Sequence, residues 1–120
     1  MKIEYDNISF DSNWEIIVYK YCKENNIPFT YHPKVIFEYM VDNKIHIYHP
    51  DFIINNTYYE IKGNQFFEDR NPSKRMICPY NRSEEKDKAA EAKHQCMIKN
   101  NVKILTEEDI KNIENILQKI

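Results

Sequence analysis

The run Tyr48-His49-Pro50-Asp51-Phe52-Ile53-Ile54-Asn55-Asn56-Thr57-Tyr58-Tyr59-Glu60-Ile61-Lys62-Gly63 decides how this chain folds. Two segments rich in β-branched and aromatic residues flank Asn55-Asn56, and asparagine tolerates the positive φ angles that a two-residue hairpin loop requires. Such a loop pairs Ile54 with Thr57, Ile53 with Tyr58, Phe52 with Tyr59 and Asp51 with Glu60. The two acids then face one another with Cβ atoms roughly 5 Å apart. Side chains alternate along a strand, so Lys62 shares the acidic face while Phe52, Ile54, Tyr59 and Ile61 anchor the opposite face to a core.

Opposed carboxylates repel and weaken a sheet unless a cation lies between them. Hard oxygen ligands at that separation suit Mg2+, with Mn2+ as a substitute, and leave positions for water and a phosphate oxygen. A lysine beside such a metal can hold or activate the attacking water, or neutralise charge building on a phosphate. Gly63 lets the backbone turn away and leaves room for a sugar-phosphate chain. The acid-x-Lys triplet alone is uninformative, because it recurs at Asp42-Lys44, Glu84-Lys86, Glu91-Lys93 and Asp109-Lys111. Only at Glu60 does it sit on an expected strand, opposite Pro50-Asp51 and before a glycine.

Outward from this hairpin the elements follow by periodicity. Asp11 or Ser12 caps a helix running to about Asn25, with Trp14, Ile17, Val18, Tyr21 and Cys22 at helical spacing. Ser12-x-x-Glu15 reads equally as a capping box. Asn25-Asn26 and Pro28 end the helix, and Phe29 to Ile61 is strand-like, with a tight turn at Asp42-Asn43 between the first and second strands. Residues 63 to 86 read as a long loop. Helix is expected over Asp87 to Lys99 and a buried strand over Val102 to Leu105. Thr106 then caps an amphipathic helix with Ile110, Ile113, Ile116, Leu117 and Ile120 on one side. The expected fold is a single α/β (α+β) domain over residues 1 to 120, a mixed sheet flanked by helices in the order αβββαβα.

The chain has 120 residues, enough for one core but not for separate catalytic and recognition modules. Seventeen basic side chains stand against 19 acidic ones, so no overall basic field announces a nucleic-acid partner. With one glycine in the chain, P-loop and dinucleotide fingerprints are excluded, and no small-molecule cofactor is expected. Cys22, Cys78 and Cys96 are odd in number and widely spaced, which points to a reducing compartment. Met1 to Phe10 lacks the apolar core of a signal peptide, and no apolar run approaches the roughly 20 residues of a membrane span. The expectation is a cytoplasmic protein with no membrane partner.

Phe10-x-Ser12-x-x-Glu15, Asn26-Ile27-Pro28-Phe29, Tyr48-x-Pro50-Asp51-Phe52 and Tyr59-Glu60-Ile61-Lys62-Gly63 together resemble the PD-(D/E)XK nuclease superfamily. Within it they are most similar to bacteriophage junction-resolving endonucleases of the endonuclease I type, over residues 10 to 63. The resemblance implies a restriction-endonuclease-like core and hydrolysis of DNA phosphodiesters. It also implies that Asp51 and Glu60 bind metal together with the Ile61 carbonyl, that Glu15 adds a carboxylate, and that Lys62 assists hydrolysis. A structure-specific endonuclease acting on branched or Holliday-junction DNA follows, and cutting both strands calls for a homodimer. The alternatives are a sequence-specific or nicking endonuclease of a phage or mobile element, and a non-catalytic nucleic-acid-binding or assembly module.

Other residues carry weaker signals. Arg70, Lys74, Arg75 and Arg82 lie in a stretch with no acid, and Lys88 and Lys93 follow on the next helix. All six are candidates for phosphate contact or ordinary surface cations. His46 and His49 fall on opposite faces of a strand, and Cys78, His94 and Cys96 are too loosely spaced for a zinc signature. Tyr31, Phe37, Tyr39 and Tyr48 are read as core or cross-strand aromatics rather than base-stacking platforms.

Overall fold

The computed structural model describes residues 2–117. They form β1 (Ile3–Tyr5), β2 (Ile8–Phe10), α1 (Asn13–Glu24), β3 (Phe29–Tyr31), β4 (Phe37–Val41) and β5 (Lys44–Tyr48). These are followed by β6 (Phe52–Ile54), β7 (Thr57–Ile61), α2 (Glu84–Lys99), β8 (Lys103–Leu105), α3 (Glu107–Lys111) and α4 (Ile113–Ile116). The deciding hairpin forms in the expected register, with Phe52 opposite Tyr59, Ile53 opposite Tyr58 and Ile54 opposite Thr57. Its turn residues Asn55 and Asn56 take φ of 49° and 65°, the left-handed pair a two-residue loop demands. Asp42 and Asn43 do the same between β4 and β5, at 48° and 64°.

The sheet is mixed and four-stranded, in the order β3-β6-β7-β8, with β8 parallel to β7 and the other pairs antiparallel. Its two faces carry different cores. On one, Phe52, Ile54, Tyr59 and Leu105 meet Val18 and Cys22 of α1, Ile110 of α3 and Leu117. On the other, Tyr58 and Ile104 join a cluster of Tyr48, Phe67, Met76, Met97 and Val102 that brings in α2 and the loop before it. Fully burying each large aliphatic or aromatic side chain contributes about 1.5–3 kcal/mol, so the alternation in β6 and β7 orients the hairpin strongly. Glu60, one residue along from Tyr59, is thereby fixed on the α2 side.

The order αβββαβα needs correction. The N-terminal segment before α1 is itself a hairpin, β1 with β2, turned at Asp6-Asn7 with φ of 56° and 63°. Five strands, not three, lie between α1 and α2. Phe29–Tyr31 leaves the next run because His32 adopts φ of 50° and Pro33 cannot donate to a ladder. Strand β3 then joins the sheet, whereas β4 and β5 form a separate two-stranded ribbon.

Helix α1 begins where expected, with the Ser12 hydroxyl accepting from the Glu15 N–H at 3.2 Å. Its buried line runs through Glu15, Val18, Tyr19 and Cys22, so Ile17, placed on the apolar face by periodicity, points outward. The C-terminal helix is not continuous. It breaks at Asn112, whose amide donates to the Glu108 carbonyl at 3.0 Å and caps α3. Ile110 and Leu117 are buried and Ile113 packs on the core, but Ile116 is exposed, and Ile120 lies outside the described residues. Residues 63 to 86 are more than a solvated loop. Two 3-10 turns, Asn64–Phe66 and Glu68–Arg70, are followed by a bridge between Phe67 and Met76, both buried. Among the described residues no helix is long and apolar enough to cross a membrane.

Candidate functional site

Strand β6 cannot continue past Phe52 as a regular ladder partner of β7, because Pro50 has no N–H to give. The chain peels away at Asp51 instead. Its N–H donates to the Tyr59 carbonyl at 3.0 Å and its own carbonyl accepts from the His32 N–H at 2.8 Å. Its carboxylate Oδ2 accepts the Ile61 N–H at 2.8 Å. A side chain thus takes a place that a backbone carbonyl would hold in a regular ladder. The simple opposition of Asp51 and Glu60 is corrected to this extent: the ladder ends at Phe52–Tyr59, and Asp51 is pinned to β7 through Ile61. Oδ1 stays outside that hydrogen bond.

Glu60 is only 5 % exposed. The Tyr48 hydroxyl donates to its Oε1 at 2.7 Å, and Lys62 Nζ lies 3.9 Å from its Oε2. Burial drives the Glu60 carboxyl above its usual range, against the opposing pull of Tyr48, Lys62 and Lys93. At Asp51 removal from water, followed by the charge of Glu60, pushes the pKa from 3.8 up to about 8. Lys62 is held below its ordinary value, first by burial and then by the like charge of Lys93, while Glu60 and Asp51 act the other way. Its ammonium also sits 4.4 Å from the Phe66 ring centroid. The site is therefore short of positive charge: a buried carboxylate, Glu60, and a half-buried one, Asp51, are pressed toward their protonated forms despite a lysine beside them. That donor set, hard oxygens with an unmet demand for charge, fits a divalent cation such as Mg2+.

Glu15 lies at the first turn of α1 and is buried. Its Oε1 accepts from the Asp11 N–H at 2.8 Å and from the Tyr31 hydroxyl at 2.8 Å. The first contact is a capping interaction shifted by one residue, since a capping box would engage the N–H of Ser12 itself. Glu15 is thus both a cap and a neighbour of the site, for its charge also raises Asp51 and Glu60. Ligand atoms of Glu15, Asp11 and His32 come within 4.8 Å of one another.

The remaining candidates separate cleanly. Lys93 reaches the site from α2: it lies 5.7 Å from the Tyr48 ring centroid, and its charge is felt at Glu60 and Lys62. Lys74, Arg75, Arg82 and Lys88 are ion-paired with Asp69, Glu68, Asp87 and Asp42 respectively. Asp69, Glu68 and Asp87 lie just outside the acid-free stretch, five to seven residues from their partners, and only Asp42 is distant in sequence. Arg70 is exposed, with φ of 53°. Gly63 serves a different purpose from a sharp turn. Its backbone is extended (φ −67°, ψ 156°), and a Cβ there would meet Gln65 Oε1 at 2.7 Å and Trp14 Cζ3 at 3.3 Å. A side chain there would require Gln65 to swing aside and Trp14 to give by a few tenths of an ångström.

Two positioning groups escaped the sequence reading, Tyr48 on Glu60 and Tyr31 on Glu15. Both were assigned to the core, and Tyr48 is indeed 1 % exposed. A buried tyrosine seeks a partner for its hydroxyl, and that rule was the available signal. Comparison with family models, with curated proteins and with solved structures finds no match for this chain.

Proposed function

We propose that this protein is a Mg2+-dependent endodeoxyribonuclease of the PD-(D/E)XK type, acting on branched or otherwise distorted DNA. One observation carries the reading. Asp51 and Glu60 are held by specific hydrogen bonds in a site that raises both carboxyls, with two lysines, Lys62 and Lys93, placed around them. A structural role would not need this, because like charges packed together destabilise a fold.

Asp51 and Glu60, with the Ile61 carbonyl and Glu15 nearby, would hold the metal. Bound there, Mg2+ supplies Lewis acidity toward a phosphate oxygen and acidifies water, and Mn2+ can do the same. Tyr48 fixes the rotamer of Glu60 and Tyr31 that of Glu15, so the carboxylates are pre-positioned. Lys62, its proton loosened by burial, can hold a water for attack or pass a proton at its Nζ. Lys93 stands on the side where charge would build on the phosphate.

Cleaving both strands of a duplex takes two such sites, which supports a homodimer. The outer face of the β4–β5 ribbon is available for it: Met40, Ile45 and Ile47 are 56 %, 66 % and 53 % exposed, a contiguous apolar strip on paired strands. Strips of this kind on monomers usually mark interfaces. The test is cleavage of plasmid, linear and four-way-junction DNA with Mg2+ and with chelator. Metal-dependent cutting fastest on the junction is expected. No cutting by the parent protein under any metal condition would refute the reading.

A further inference from the structure

An open cleft of about 500 Å3 borders Asp51, between the segment after β3 and the segment leading into β6. Pro33 and Pro50, both buried, form its inner surface. Lys34 and His49 stand exposed at its rim, and Ile36 presents an aliphatic side chain that is 52 % exposed. The two walls are tied at their base by the His32 N–H bonded to the Asp51 carbonyl at 2.8 Å, and prolines stiffen both segments. The cleft is thus apolar inside, basic at the edge and bounded at one end by a carboxylate of the reactive site.

Such a surface suits only part of a nucleic acid. An intact duplex turns phosphates and sugars outward and keeps its bases stacked, so a concave apolar pocket gains little from it. A base swung out of the stack offers two flat faces for apolar side chains, and its flanking phosphates match the Lys34 ammonium at the rim. The volume lies within the range of about 300–1,000 Å3 common to small-ligand sites. We infer that this cleft takes a single unpaired nucleotide beside the bond that is cut, so that the substrate class is DNA with an unstacked nucleotide at the cleavage point. The inference rests on the nuclease reading and deepens it: shape selectivity resides in Pro33, Ile36 and Pro50 rather than in a basic surface.

The experiment uses the full chain and three oligonucleotide duplexes of one sequence. The first is fully paired, the second carries one unpaired 2-aminopurine nucleotide, and the third has an abasic residue in that place. Cleavage with Mg2+ should favour the unpaired base over the abasic residue by roughly 5-fold, the lower end of what stacking on aromatic side chains supports, because the apolar lining here is proline and isoleucine. Ile36→Asp should bring that ratio close to one, and His49→Ala repeats the test at the rim. Titration with chelator, read by 2-aminopurine fluorescence, measures occupancy without cleavage and should weaken by a similar factor in Ile36→Asp. Equal cutting of base-bearing and abasic DNA, or an unchanged titration in the folded variant, overturns the cleft. If no DNA is cut yet the titration distinguishes parent from variant, the nuclease reading fails and the cleft stands.

Discussion

Replacing Asp51 with asparagine should stabilise the metal-free protein at neutral and alkaline pH while ending its cleavage. Asparagine keeps an oxygen for the Ile61 N–H at 2.8 Å and removes a charge that burial and Glu60 oppose. The sign follows from the direction of the shift. A carboxyl that releases its proton near 8 in the fold and near 3.8 in the open chain leaves stability intact below 3.8. Between those values the unfolded chain ionises while the fold retains its proton, so stability falls by up to about 1.4 kcal/mol per pH unit. Above 8 the fall is complete, with a ceiling near 6 kcal/mol that water entry and side-chain relaxation reduce to several. The assay is urea denaturation of Asp51→Asn and parent at pH 4 to 9 in chelator. Taking the difference between the two cancels contributions common to both proteins. The difference should grow in favour of the variant from pH 4 to 8 and then level. Mg2+ should then raise the parent's Tm more at pH 8 than at pH 5, because it binds the ionised form, and leave the variant nearly unmoved. Parallel stability curves for the two proteins would refute the reasoning, as would a variant less stable than the parent at pH 8 without metal.

Lys62→Ala should lower cleavage at least 100-fold while calorimetry still registers metal binding, because its part is played in the transition state; unchanged cutting would remove Lys62 from the mechanism. Glu15→Gln keeps an acceptor for the Asp11 N–H and Tyr31 hydroxyl, so thermal stability should hold within about 1 kcal/mol while the rate drops steeply. Parental rates in that variant would reduce Glu15 to a helix cap. Arg75→Glu should weaken DNA binding and flatten its salt dependence if the phosphate displaces Glu68 as the partner of Arg75, and equal salt slopes would assign the arginine to its ion pair alone. Ile45→Asp on the ribbon face should shift sedimentation from dimer to monomer, and a parent that sediments as a monomer at micromolar concentration would rule the dimer out.

Local chemistry made the centre of this protein legible. A two-asparagine loop can close a hairpin in only a few ways, and strand alternation then dictates which residues share a face. Register, the common face of Glu60 and Lys62, the apolar face of Phe52 and Ile54, and the Ser12 cap of α1 all follow from rules that act within a dozen residues. The same local rules failed at the β1–β2 hairpin, turned at Asp6-Asn7, and at the end of β3, where His32 takes a left-handed conformation. They failed again at Asn112, where a continuous apolar pattern is broken by a capping side chain.

What depended on distant parts of the chain could not be read this way. Tyr48 meets Glu60 because β5 runs into the same core as β7, and Lys93 reaches both because α2 covers that face of the sheet. Lys88 finds Asp42 across 46 residues, so a cation that looked free in sequence is paired in space. The carboxyl shifts at Asp51 and Glu60 belong to this second group as well. Sequence determined which residues could ionise and on which face of the hairpin they stand; tertiary packing alone decided how much water and how many neighbouring charges surround them, and those two quantities set their chemistry.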